Sequence, residues 1–92
     1  MSFTVHYHVL VVKQDIPKLA AVERHHIKEA IESKLTTAPE QFGKPLRRSL
    51  NGYRKLRVGD YRIIFRLERR TIKIFLIAHR SVVYKDIHRR LS

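Results

Sequence analysis

Ninety-two residues bound one small domain, spanning 1–92, and exclude a two-domain enzyme with a cleft between lobes. Twenty Lys and Arg against eight Asp and Glu leave a net charge of +12, which predicts an anionic partner: nucleic acid, an acidic protein or a membrane surface. With 43 % hydrophobic residues the chain has a core, and with no cysteine it has no disulfide scaffold, thiol chemistry or Cys-based zinc site.

No basic segment followed by an apolar one opens the chain, so no signal peptide is expected. The longest apolar run, Ile74 to Ala78, is far short of the ~20 residues that span a bilayer, and a soluble, cytoplasmic protein is expected. Residues 3–12, FTVHYHVLVV, place Phe3, Val5, Tyr7, Val9 and Val11 on one face at period two, which predicts a strand. Asp15 suits a helix cap and Pro17 a first helical turn. Ile16, Leu19 and Ala20, then Ile27, Ala30, Ile31 and Leu35, form apolar stripes at helical spacing. Thr36-Thr37-Ala38-Pro39 stops them, because the residue before proline resists the α region; a helical hairpin over residues 15–37 follows.

Residues 38–52 read as a basic connector, punctuated by Pro39, Gly43, Pro45 and Gly52 and charged by Lys44, Arg47 and Arg48. Three strands come next, Tyr53 to Val58, Tyr61 to Leu67 and Ile72 to His79. Gly59-Asp60 joins the first two and suits a type II′ turn; Arg69-Arg70 joins the next two with poorer turn chemistry. Ile87 and Leu91, four apart, predict a short C-terminal helical turn. The fold class is α+β: an antiparallel four-stranded sheet packed against an N-terminal helical hairpin, in the order β-α-α-β-β-β.

Two-residue loops fix the register. Val58 faces Tyr61, Leu56 faces Ile63 and Arg54 faces Phe65 on one side; Arg57 faces Arg62, Lys55 faces Ile64 and Tyr53 faces Arg66 on the other. Across the second loop Leu67 faces Ile72, Phe65 faces Ile74, Ile63 faces Leu76 and Tyr61 faces Ala78. That sets Ile63, Phe65, Ile74 and Leu76 against the stripe Ile27, Ile31, Leu35. The opposite side puts Arg66 across from Lys73 and Arg62 across from Ile77, with His79 one diagonal step from Arg62. Like charges directly opposite one another cost up to about 1 kcal/mol each. They occur here twice, at Arg57–Arg62 and Arg66–Lys73, on a sheet that could have avoided them. The pattern points to a site that receives phosphates or carboxylates, with Arg54, Arg57, Arg66 and Lys73 as phosphate ligands; the bland counterpart is a solvated basic face.

The order strand, helical hairpin, three-stranded meander, with GKPL (43–46), LRVGDYRIIF (56–65) and HRSVVY (79–84), resembles the RelE/ParE toxin superfamily over nearly the whole chain to Tyr84. These are small basic toxins of bacterial and archaeal toxin–antitoxin modules. The resemblance implies a twisted antiparallel sheet on a helical hairpin, like a small microbial ribonuclease. RelE-like members are implied to cut mRNA in the A site of the 70S ribosome, and ParE-like members to poison DNA gyrase. Both are implied to be silenced by an acidic or partly disordered antitoxin. The RelE-branch activity carries over onto Arg62, Arg80 and Tyr84, with Lys55 as the nearest match to a Lys before the hairpin. Some members have a second Lys where this chain has Tyr53, which leaves the general base open.

Metal-free RNA cleavage needs a base for the 2′-OH proton, charge to stabilise the pentavalent phosphate and an acid for the departing 5′-oxygen. Arg57, Arg62 and Arg80 suit the phosphate, because a guanidinium matches its oxygens bidentately and stays charged. His79 is the best-placed proton carrier by residue type. Tyr84 suits a donor to the leaving group, a base beside cations, or a platform on which a nucleobase stacks. The plain structural counterparts are a packed histidine, a packed tyrosine and solvated arginines. His6 and His8 share a strand face without a third ligand, and His25-His26 point apart on a helix, so neither metal nor cofactor is expected. The leading expectation is a ribosome-dependent mRNA endonuclease that leaves a 2′,3′-cyclic or 3′-phosphate and a 5′-OH. Its rivals are a ParE-like gyrase inhibitor and a non-catalytic basic module that binds RNA or its antitoxin.

Overall fold

The computed structural model describes residues 3–92. Strand β1 (Thr4–Tyr7) covers only the first part of the strand expected over 3–12. The His8 N–H makes a last ladder bond to the Ile74 carbonyl at 2.9 Å, and His8 Nδ1 then accepts the Leu10 N–H at 3.0 Å. That side-chain acceptor starts a helical turn, so the β-branched run winds instead of extending. Val11 is buried by it, while Val9 and Val12 are exposed. The winding continues through a wide turn at Val11–Asp15 and a tight one at Ile16–Lys18. Helix α1 (Ala21–Ala30) runs on into a second wide turn at Ile31–Leu35, and α2 (Pro39–Phe42) is a single turn opened by proline. Then come β2 (Lys44–Pro45), a tight turn at Arg48–Leu50, β3 (Arg54–Val58), β4 (Tyr61–Glu68), β5 (Thr71–His79) and α3 (Val83–Leu91). Among the described residues no helix is long and apolar enough to cross a membrane.

The sheet has five strands in the order β1-β5-β4-β3-β2, where four were expected. β1 pairs parallel to β5 and the other pairs are antiparallel, which makes the sheet mixed. A two-residue loop forces its strands antiparallel, but no short loop joins β1 to a neighbour, so alternation alone carried no direction for it. The fifth strand is Lys44–Pro45, inside the stretch expected to be a connector.

Between β3 and β4 the register is the expected one, from Arg54–Phe65 to Val58–Tyr61. Gly59 takes the positive φ, 59°, that the first position of a II′ turn requires. Between β4 and β5 the expected register holds as far as Phe65–Ile74 and then slips: Ile64 faces Leu76, Ile63 faces Ile77 and Tyr61 faces His79. Phe75 is the extra residue of a β-bulge, and beyond it each side chain of β5 changes face. Ile77, not Leu76, therefore joins Ile63, Phe65, Ile72 and Ile74 against Ile27, Ile31 and Leu35. Leu76 and Ala78 turn to the other side and pack with Ile64 beneath Val83 and Ile87. The C-terminal segment is thus a nine-residue helix rather than a short turn, and it covers the face of the sheet opposite the hairpin.

Asp15 does not cap a helix. Its carboxylate is 7 % exposed, accepts the Ile77 N–H at 2.9 Å, and is held by both terminal nitrogens of Arg90 at 2.6 and 3.0 Å. One of those nitrogens also donates to the Phe75 carbonyl at 3.0 Å. The two backbone groups that flank the bulge are therefore taken by side chains from residues 15 and 90.

Gly43 links α2 to β2 where no side chain fits. A Cβ there would lie 2.2 Å from Phe65 Cζ and 3.0 Å from the Pro39 carbonyl oxygen. Phe65 is fully buried and has nowhere to withdraw. Gly43→Ala is expected to lose about 1–3 kcal/mol of stability through overpacking, measured by urea unfolding. A variant as stable as the parent would contradict this packing.

Candidate functional site

Three like-charge pairs lie directly across strands of the sheet: Lys44–Lys55, Arg57–Arg62 and Arg66–Lys73. The last two follow from the expected register. The first went unseen because Lys44 was assigned to a connector. These pairs are electrostatically unequal. Glu68 lies 3.4 Å from Arg66 Nε and 3.0 Å from Lys73 Nζ. The hydrogen bond from Lys73, then the charges of Lys73 and Arg66, hold the Glu68 carboxyl below its usual range. Arg66 and Lys73, both expected as phosphate ligands, thus already have an internal anion.

Among the described residues Lys44, Lys55, Arg57 and Arg62 have no acid within ion-pair distance. With Phe42 they line a cavity of about 210 Å³. Arg62 is fixed in orientation by one terminal nitrogen, which donates to the Gly59 carbonyl at 3.0 Å and to the Tyr61 carbonyl at 2.9 Å. Lys55 Nζ donates to Tyr84 Oη at 2.7 Å and lies 5.4 Å from the centre of that ring. Tyr84 comes from the first turn of α3, so strand and helix meet at this hydrogen bond. A second cleft of about 450 Å³ shares Lys44 and Lys55 and extends past Arg47, Arg48, Tyr84 and His88.

Three expected site residues stand elsewhere. Arg54 lies on the hairpin side of the sheet, partly buried, and donates to the Gly43 carbonyl at 2.9 Å, which ties β3 to the end of α2. His79 is carried to the hairpin side by the bulge, and Arg62 faces Ala78 instead of Ile77. The His79 ring meets Tyr61 edge-on at 5.6 Å and lines a cleft with Glu23, His26 and Asp60, not with Arg62. Its Nδ1 accepts the Ser81 N–H at 3.2 Å. Arg80 is exposed, with Nε 3.6 Å from Asp60 Oδ1 and its backbone N–H donating to the Asp60 carbonyl at 2.8 Å. It stands at the same turn that holds Arg62, outside the lining of the cavity. Lys44, Arg47, Arg48 and His88 complete the surroundings. Pairing GKPL with β3 would have exposed Lys44, whereas nothing local marks His88.

A mixed five-stranded sheet between a helical hairpin and a terminal helix, with uncompensated cations on one face, defines a small basic α+β protein. Comparison with known proteins gives the class a family. A family model described as the ParE toxin of the type II toxin–antitoxin system parDE matches residues 11–84. Toxin RelG of Mycobacterium tuberculosis (strain ATCC 25618 / H37Rv) is 32 % identical over 87 residues, covering 92 % of this chain and 99 % of its own. Toxin RelE of the same strain is 31 % identical over 84 residues, covering 86 % and 87 %. A chain in the crystal structure of the toxin–antitoxin complex RelBE2 from Mycobacterium tuberculosis superposes with a TM-score of 0.80 at 30 % identity, over 86 % of this chain and 99 % of that one. A mutant of the E. coli toxin RelE in the free state shares the fold over the full length of both chains, with a TM-score of 0.73 at 19 % identity. The chain belongs to the RelE/ParE superfamily of toxin–antitoxin toxins, as the motifs at 43–46, 56–65 and 79–84 implied.

Glu68→Gln leaves Arg66 and Lys73 facing each other without an anion, and is expected to lower the melting temperature at neutral pH. The folded pKa of Glu68 lies below its unfolded value. Its contribution is therefore present above the ordinary carboxylate pKa and lost as pH falls through the folded one. The gap in melting temperature between parent and variant should close in acid. Equal melting at neutral pH would remove Glu68 from the balance.

Proposed function

We propose that the protein is a ribosome-dependent mRNA endonuclease, acting on mRNA in the A site of the 70S ribosome by metal-independent transesterification and silenced by an acidic antitoxin. The observation that carries this is the acid-free cluster of Lys44, Lys55, Arg57 and Arg62 beside Tyr84. An anion there turns the cross-strand repulsion into attraction, as Glu68 does for the neighbouring pair.

In the proposed reaction the ribose 2′-OH gives its proton to water, the 2′-oxygen attacks the adjacent phosphorus and the P–O5′ bond breaks. The products are a 2′,3′-cyclic phosphate, opened by water to a 3′-phosphate, and a 5′-OH. Arg57 and Arg62 bind the non-bridging oxygens, where negative charge grows at the pentavalent stage. The turn carbonyls hold Arg62 in one orientation before substrate arrives, so little reorganisation is left for the reaction. Tyr84 donates its proton to the departing 5′-oxygen, and Lys55, already hydrogen-bonded to Oη, stabilises the phenolate that results. Arg80, paired with Asp60, lies outside the cavity lining. His79, on the other side of the sheet, takes no part. An acidic antitoxin suits the +12 charge, and the RelBE2 structure is that of a toxin–antitoxin complex.

A second function, gyrase inhibition, is favoured by the ParE description of the matching family model. Translation reactions programmed with a defined mRNA distinguish the two. New 5′ ends that form with ribosomes and not on free RNA support the nuclease; stalled gyrase–DNA complexes without new mRNA ends support the rival.

Arg62→Ala should reduce cleavage by on the order of 10²–10³. Its stability should change by less than about 1 kcal/mol, because relief from Arg57 offsets two lost hydrogen bonds to turn carbonyls. A lower melting temperature with unchanged specific activity would make Arg62 structural instead. RNA binding should weaken with salt at a log–log slope of roughly −3, for about four phosphates on a single strand. A flat response, measured by fluorescence anisotropy, would argue against phosphate as the main source of affinity.

A further inference from the structure

We infer that Asp15 and Arg90 are positioning residues for Tyr84: their ion pair fixes the seat of α3 on β5 and so the place of the Tyr84 hydroxyl against Lys55. The inference rests on the role proposed for Tyr84 above, and its geometry is tested independently of that role.

A helix of nine residues does not hold itself together in water, so α3 exists through its attachments. Val83, Ile87 and Arg90 share one face at i, i+4 and i+7. Val83 and Ile87 press on Ile64, Leu76 and Ala78. Apolar contacts of this kind are not directional, and they let a short helix slide or roll. Arg90 has no such freedom. Two of its nitrogens engage the two carboxylate oxygens of Asp15, and one of them also holds the Phe75 carbonyl. Asp15 in turn takes the Ile77 N–H. Both side chains are under a tenth exposed, so water does not readily replace either partner. Tyr84 sits on the flank of the helix, one residue from Val83, where a roll displaces it sideways. Neither Asp15 nor Arg90 lines the cationic cavity or the cleft beside it. Their influence on Tyr84 passes through the helix, not through substrate.

The full-length protein is prepared with 3-fluorotyrosine at its four tyrosines, and the Tyr84 resonance is assigned with Tyr84→Phe. Two variants are compared at a temperature where melting curves show both folded: Asp15→Asn, which keeps the shape, and Arg90→Lys, which keeps the charge and loses the fork. The Tyr84 fluorine signal should shift or split while that of Tyr61 holds. Single-turnover cleavage should fall about tenfold or more with KM unchanged, because a displaced proton donor slows chemistry and not binding. Combined with Tyr84→Phe, neither substitution should lower the rate further. An unmoved Tyr84 signal, or an equal further loss in the Tyr84→Phe background, overturns the inference. If the parent cleaves no mRNA, the proposed function fails and the fluorine signals alone decide the positioning. On heating the parent, the Tyr84 and Arg90 side-chain signals should broaden together; separate broadening also overturns it, even should both variants unfold.

Discussion

Between Ile74 and Leu76 the fifth strand carries one residue more than its neighbour, and the molecule is arranged around that surplus. The slip sends Ile77 into the core beneath the hairpin and Leu76 with Ala78 into the core beneath α3. One strand thereby feeds two cores, and the sheet is buried on both sides of β4 and β5. A bulge of this kind leaves backbone groups in need of partners. Asp15 and Arg90 take them, and in doing so bind the first helical turn, the last helix and the centre of the sheet to one point. A buried ion pair is a modest source of net stability, but losing one partner costs about 3–5 kcal/mol because the other charge is stranded.

Three of the eight acids are paired with Lys or Arg: Asp15 with Arg90, Glu68 with Arg66 and Lys73, and Asp60 with Arg80. Each stands away from the lining of the cavity bounded by Lys44, Lys55, Arg57 and Arg62. Those four cations sit on paired strands, whose register holds them at fixed spacing. Arg62 is held in addition by the Gly59 and Tyr61 carbonyls, and Lys55 by Tyr84.

Much of this was legible before the structure, where local chemistry sets geometry. Gly59-Asp60 dictates a two-residue turn, and from it follow Arg57 opposite Arg62 and Lys55 on the same face. The Phe75 bulge was not legible, because Ile74 to Ala78 is apolar throughout and alternation has nothing to mark a slip. Alternation without the bulge places His79 on the opposite face. A strand ending at Leu67 leaves out Glu68, the ion between Arg66 and Lys73. The direction of β1 was hidden because its partner lies far along the chain. Val9 to Val12 read as strand, since the His8 ring that caps the turn is a contact no propensity records. Tyr84 was found through its motif, and its hydrogen bond to Lys55 joins two parts of the chain that only the packing of α3 brings together.

The cationic cavity and the Tyr84 cleft beside it differ in how far along the chain their supports reach. Arg57 and Arg62 are brought face to face by a two-residue loop, and Lys55 lies on the same hairpin. Tyr84 lies on a helix whose far end is tied to residue 15, 75 positions from residue 90. The entropy lost in closing a loop grows with its length, so contacts between near neighbours form ahead of those that join the two ends of the fold. The pairing of Arg57 with Arg62 thus belongs to the local part of the architecture. The Tyr84 hydroxyl beside it belongs to the long-range part, because its helix is tied down by a contact between residues 15 and 90.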